Sequence, residues 1–155
     1  MIKLGILRVF IPMILGAISA ALCQIPKDAG KSVAFRPPGW VFSIVWPLLY
    51  IMVGISWYIS AKSSDYHNAF IDLCFALLNV ILCTWIIVYG CVNNKILGVY
   101  IISAAILMCI LTMIVIHHNK WGLGLLSPLL VWLVFALLLN AFETTLTATA
   151  GASDL

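Results

Sequence analysis

The residues of this chain with chemical potential are aromatic, and they recur at helical spacing. Trp46, Tyr50, Gly54 and Trp57 follow one another at intervals of four, four and three residues, so a helix would line them along one face. Pro128, Trp132, Ala136 and Asn140 repeat every four residues, with Glu143 three further on. An indole offers a flat apolar surface and one N–H donor, and the small Ala136 would leave room beside the indole one turn away. The chemistry on offer is the holding of a flat apolar ligand between two indole-bearing helices. Spacing alone also allows plain core packing. Trp46, next to the helix-bending Pro47, either packs against another helix or faces a pocket. Trp40 and Trp57, near opposite ends of the same apolar run, read as members of the aromatic belts at the membrane surfaces.

Polar groups inside the apolar runs are few. Asp72, Asn79 and Cys83 share one face at offsets of seven and four. Intramembrane acids default to functional roles, yet Asp72 lies close enough to the start of its run to reach headgroup water or Lys62. Asn79 is deeper and is expected to hydrogen-bond to another helix, with Asn140 as the candidate partner. His117 and His118 would point about 100° apart on a helix, with no cysteine or carboxylate cluster beside them, so no metal site is expected. There is no Gly-rich phosphate loop, no Gly-x-Ser-x-Gly and no carboxylate pair, so the usual hydrolytic chemistries lack support. Cys23, Cys74, Cys83, Cys91 and Cys109 form no Cys-x-x-Cys. They read as small packing residues, and their odd number leaves the redox compartment undetermined.

The elements that must position these groups follow from composition. Of 155 residues, 65% are hydrophobic and 8% charged, against roughly 25% charged in a typical globular domain. That is too little polar surface to cover a sphere in water, so lipid must be the solvent for much of it. Five apolar runs stand out, over residues 4–22, 41–61, 69–89, 96–116 and 123–142. Each is about 20 residues, enough to cross a ~30 Å hydrocarbon core as a helix. The expected fold is all-α, a five-transmembrane-helix bundle in a single domain over residues 1–155. The first run has a basic start (Lys3, Arg8) like a signal peptide, but Arg8 and Pro12 interrupt it and Gly16 and Ala20 form a small-xxx-small pair, so it reads as a packed helix rather than a cleaved signal. The longer first loop, residues 23–40, contains Pro26, Asp28, Gly30 and Lys31 and could fold over one end as a cover. Lys3, Arg8, Lys62 and Lys120 on one side balance Lys27, Lys31, Arg36 and Lys95 on the other, so the positive-inside rule cannot orient the chain. A net charge of +3 without a basic stripe fits headgroup contact better than nucleic-acid binding, so no nucleic-acid partner is expected.

Two segments carry a resemblance. Pro37-Pro38-Gly39-Trp40-Val41-Phe42-Ser43-Ile44-Val45-Trp46, followed by Leu49-Tyr50 and Gly54, resembles the first-loop and second-helix signature of the tryptophan-rich sensory protein family. This is also called the translocator protein or peripheral benzodiazepine receptor family. Its pattern runs Pro-Pro-x-Trp-Val-Phe-x-x-Val-Trp, then Leu-Tyr and a Gly. Pro128-Leu129-Leu130-Val131-Trp132, then Phe135-Ala136 and Leu139-Asn140, is similar to the fifth-helix signature in the same register. The resemblance covers nearly the whole chain.

It implies a five-helix bundle, often a homodimer, binding porphyrins and other apolar ligands in a pocket between helices two and five under the first loop. Carried over by register, the ligand residues would be Phe42, Ser43, Trp46, Tyr50, Asn79, Trp132, Ala136, Leu139 and Asn140, with Lys31, Phe35, Arg36, Pro37, Pro38 and Trp40 in the covering loop. No cofactor is implied; porphyrin enters as ligand. The leading expectation is therefore a tetrapyrrole receptor or carrier. Some members are reported to degrade porphyrin in light, which would make Trp46 and Trp132 photochemical; a scaffold that has lost the ligand site is the third reading. Helices one, three and four are expected to serve mainly as the frame. The sequence departs from the family pattern in the third helix, where Phe75 and Leu82 replace a Gln and a Trp and Trp85 stands three places on. It departs again in the fifth, where Ala141 and Thr145 stand in the region of the sterol motif's Tyr and Arg.

Overall fold

The computed structural model describes residues 2–25, 29–62 and 68–153, so Pro26, Lys27 and Asp28 of the first loop lie outside the described residues. Five helices form: α1 (Ile2–Leu22), α2 (Gly39–Lys62), α3 (Asn68–Ile87), α4 (Lys95–Val115) and α5 (Lys120–Ser153). Each is long and apolar enough to cross a membrane. In lipid the backbone must satisfy its own hydrogen bonds, and helices do so within one segment. The chain is an integral, multi-pass membrane protein.

Most boundaries fall within three residues of the expected runs, and two helix ends depart in kind. α3 does not stop at Tyr89; it passes into a π-helical turn, Val88–Val92, which ends at Asn93 in the left-handed region with φ 54°. Asn94 then starts α4, its side chain accepting the Leu97 N–H at 2.9 Å. α5 runs 34 residues, well past the expected end at Phe142. Polar residues after Glu143 end the apolar run without ending the helix, since no proline follows Pro128 to break it. Thr144 and Thr145 also return their hydroxyls to the Ala141 and Phe142 carbonyls.

Around the bundle the helices follow the order α1, α2, α5, α4, α3, and α3 closes back on α1. Among the described residues α1 and α5 make no direct backbone approach. The packed core is apolar and continuous, with Phe75, Leu78, Leu82, Ile102, Leu126, Leu129 and Leu133 essentially sealed. Large apolar side chains such as Ile6, Phe10, Leu107 and Val131 point outward instead, as a lipid solvent permits.

The end of the bundle that holds the start of α1 is tied tightly. Gly54 lets α2 approach α1 so closely that a Cβ there would lie 2.1 Å from the Val9 carbonyl oxygen. Asp72 accepts Arg8 Nε at 2.8 Å and Nη2 at 2.6 Å, and Trp57 Nε1 at 2.6 Å. Two expectations are corrected here. Asp72 pairs with Arg8 of α1 rather than with Lys62, because α1 and α3 are neighbours. Trp57 is buried rather than set in an interfacial belt, and its ring stacks on Phe75 at 5.7 Å. α5 is locked to α2 at the same end by Ser56 Oγ donating to the Gly122 carbonyl and by Asn119 Nδ2 donating to the Ile59 carbonyl.

Candidate functional site

At the first-loop end the helices part around a cavity of about 700 Å³. That lies within the ~300–1,000 Å³ usual for small-molecule sites. Trp46 and Tyr50 of α2 form its aromatic centre, their rings stacked at 5.8 Å. Trp85 of α3 extends the stack, 5.7 Å from Trp46 and 5.2 Å from Tyr89. Ala136, Leu139, Asn140 and Glu143 of α5 form the opposite wall, and α1 contributes Met13, Gly16, Ala17 and Ala20. Gly16 is needed where it stands, because a Cβ there would lie 2.4 Å from the Tyr50 ring. The small α1 residues therefore keep the wall thin, and α1 faces α5 across the cavity instead of packing on it.

The first loop covers this end through two linked turns. Val33 N–H donates to the Gly30 carbonyl at 3.0 Å and Arg36 N–H to the Val33 carbonyl at 3.1 Å. Gly30 has φ +72°, a conformation that suits glycine. Its N–H donates to Glu143 Oε1 at 2.9 Å, while the Tyr89 hydroxyl donates to Glu143 Oε2. Lys95 Nζ lies 3.5 Å from the same carboxylate. A single buried acid thus joins the loop, the π-helical turn after α3, α4 and α5. Phe35 anchors the far half of the loop edge-on against Phe142 at 5.3 Å and Phe135 at 6.4 Å. Arg36 reaches the cavity with its guanidinium 5.7 Å from the Phe42 ring centre.

The residues singled out from sequence divide into four groups. Phe42, Ser43, Trp46, Tyr50, Ala136, Leu139, Asn140, Arg36 and Trp40 line the cavity. Trp132 stands behind the wall, with its ring 6.4 Å from Trp46 and 5.6 Å from Phe42. Asn79 is buried away from the cavity, and its Nδ2 donates to the Phe75 carbonyl of its own helix. The expected cross-helix bond to Asn140 does not form: Asn79 Oδ1 and Asn140 Nδ2 are both left without partners. Lys31, Phe35, Pro37 and Pro38 belong to the covering loop without lining the cavity. Helices one and three supply walls rather than mere frame. Trp85 at the end of α3 and Tyr89 in the π-helical turn, four apart, carried a sequence signal of the same kind as Trp46 and Tyr50. Gly16 and Ala20 of α1 stood out in the sequence as a small-xxx-small packing pair, not as a cavity wall.

Cysteine usage also needs correction. Cys23, at the end of α1, and Cys91, in the π-helical turn after α3, form a disulfide across 68 residues of sequence. Cys23 lines the cavity. Cys74 and Cys109 are buried and Cys83 partly so, and these three serve as packing residues.

Five membrane-length helices around an aromatic cavity beneath the first loop define a multi-pass helical-bundle membrane protein. A family model described as the TspO/MBR family matches residues 8–143. The Tryptophan-rich protein TspO of Archaeoglobus fulgidus is 32% identical over 106 residues, covering 68% of this chain and 69% of that protein. The chain belongs to the TspO/MBR family.

Proposed function

We propose that this protein is a membrane receptor or carrier for tetrapyrroles or similarly flat apolar ligands, held in the cavity under the first loop. The observation that carries this reading is the stacked series Tyr50, Trp46, Trp85 and Tyr89 on a cavity of about 700 Å³. A macrocycle would present its face to these rings and its edge to the small residues of α1 and α5. Each offset aromatic contact adds about 0.5–1.5 kcal/mol beyond area burial, so the rings orient the ligand and burial supplies most of the affinity. Arg36 brings positive charge to the mouth, where ligand carboxylates would meet water. Protoporphyrin IX titrated into detergent-purified protein, followed by tryptophan quenching, tests the reading. Trp46→Ala should weaken binding at least tenfold and Trp132→Ala less, because the second indole stands behind the first. Equal, weak binding by wild type and a Trp46→Ala/Trp85→Ala variant would sink the pocket.

Light-dependent porphyrin breakdown is the second reading, favoured by the ring contacts that connect Trp132, Trp46 and Trp85. Illuminating the complex while following the porphyrin bands separates the two. Loss no faster than in detergent alone identifies a binder.

A further inference from the structure

Between Gly16 and Cys23 the end of α1 is held by very little. Ser19 is buried there, whereas Ala17, Ile18, Ala20, Ala21 and Leu22 are all exposed. α5, which would be the helix opposite, stands across the cavity and gives α1 no support. The firm attachments of α1 lie toward its start: the Arg8–Asp72 pair, the close approach of Val9 to Gly54, and Gly16 on the Tyr50 ring. At the cavity end the covalent attachment is Cys23–Cys91. The backbone there fits closely too, since a Cβ on Gly90 would lie 2.8 Å from the Cys23 carbonyl oxygen. Cys91 is exposed while Cys23 is buried and lines the cavity, so an external thiol approaches the bond from the Cys91 side.

We propose that the Cys23–Cys91 disulfide is a redox clamp that keeps the α1 wall of the cavity shut, and that its reduction by a thiol opens the wall and speeds ligand exchange. The second half rests on the ligand-binding reading above. A thiolate attacks the exposed Cys91 sulfur, forming a mixed disulfide and expelling the Cys23 sulfur, which takes up a proton. A second thiol then attacks the mixed disulfide. Cys91 leaves as a thiol, and the two reductant thiols end as their own disulfide, having given two electrons to the cystine. Once the bond is broken, among the described residues the last turns of α1 keep only the buried Ser19 and the packing of Cys23 on Gly90 beyond Gly16, and the wall can swing into lipid.

Protein purified in detergent is compared oxidised, reduced with dithiothreitol, and as a Cys23→Ser/Cys91→Ser variant. Thiol counting confirms the state of each sample. Hydrogen exchange of residues 16–22 and the dissociation rate of protoporphyrin IX are measured on all three. Reduction should raise exchange in residues 16–22 and speed porphyrin dissociation about tenfold, the variant should match the reduced protein, and dithiothreitol should leave the variant unchanged. Porphyrin binding with exchange and dissociation unaltered by full reduction overturns the clamp. Faster exchange on reduction with no porphyrin bound in either state supports the clamp and overturns the ligand reading. If the variant does not fold, oxidised and reduced wild type still decide between these outcomes.

Discussion

Arg8 and Asp72 show how far a residue's meaning depends on its partner. Asp72 alone looks like an acid near the membrane surface. Beside Arg8 and the Trp57 N–H it is the centre of a three-donor cluster that ties α1, α2 and α3 together. A charge left unpaired in a membrane helix costs about 2.5–3.5 kcal/mol on insertion scales. Asp72→Leu should therefore lower the detergent unfolding midpoint more than the double change Asp72→Leu/Arg8→Met, which removes both charges. A double-mutant cycle on thermal unfolding measures the difference, and additive effects would argue against a functional pair. At Gly54 the requirement is steric. Gly54→Ala places its Cβ on backbone rather than on a flexible side chain, so α1 must move away from α2. The expected result is a clear loss of thermal stability without loss of helix content by circular dichroism.

Among the elements, the first loop depends most on others for its shape. Its turns are local, but its position is set by Glu143 on α5 and by the Phe35 contacts with Phe135 and Phe142. Glu143→Leu removes the acceptor for the Gly30 N–H and the Tyr89 hydroxyl and the partner of Lys95. Limited proteolysis within residues 29–38 should then accelerate several-fold. Glu143→Gln keeps an acceptor oxygen and should behave much closer to wild type. Equal protease resistance of all three proteins would mean that Glu143 does not hold the loop. The π-helical turn after α3 matters similarly, because it brings Tyr89 to the acid and Cys91 to the end of α1 within one short segment.

For the molecule as a whole, packing and cavity should separate under mutation. Leu133 is completely buried in the core and does not line the cavity. Leu133→Ala should cost about 2–5 kcal/mol of stability, as other buried leucine truncations do, while leaving porphyrin affinity nearly unchanged. Ala136→Trp, three residues along the same helix, fills the cavity and should abolish binding with little change in unfolding midpoint. Measuring midpoint and affinity on both variants checks the division. The disulfide also bears on orientation. Disulfides persist in oxidising compartments, so the first-loop end should face one, together with the end of α5. A reporter active only in an oxidising compartment, fused after α5, should therefore be active. Inactivity there, with a matched cytosolic reporter active, would reverse the orientation.

The sequence by itself determined the solvent, the helix count and the aromatic face of α2. Apolar runs of membrane length admit no other backbone solution, and spacing alone puts Trp46 and Tyr50 on one side of a helix. It also marked Ala136 and Asn140, which do line the cavity. Tertiary structure alone decided which helices are neighbours, and the corrections to side-chain partners follow from that. Arg8 meets Asp72 because α1 lies against α3, and Cys23 meets Cys91 across 68 residues for the same reason. Trp132 falls behind Trp46, while Trp85 reaches the cavity, because side-chain spacing fixes a face but not what that face meets. The small residues of α1 could not announce a cavity wall, since a gap is a property of the elements around it.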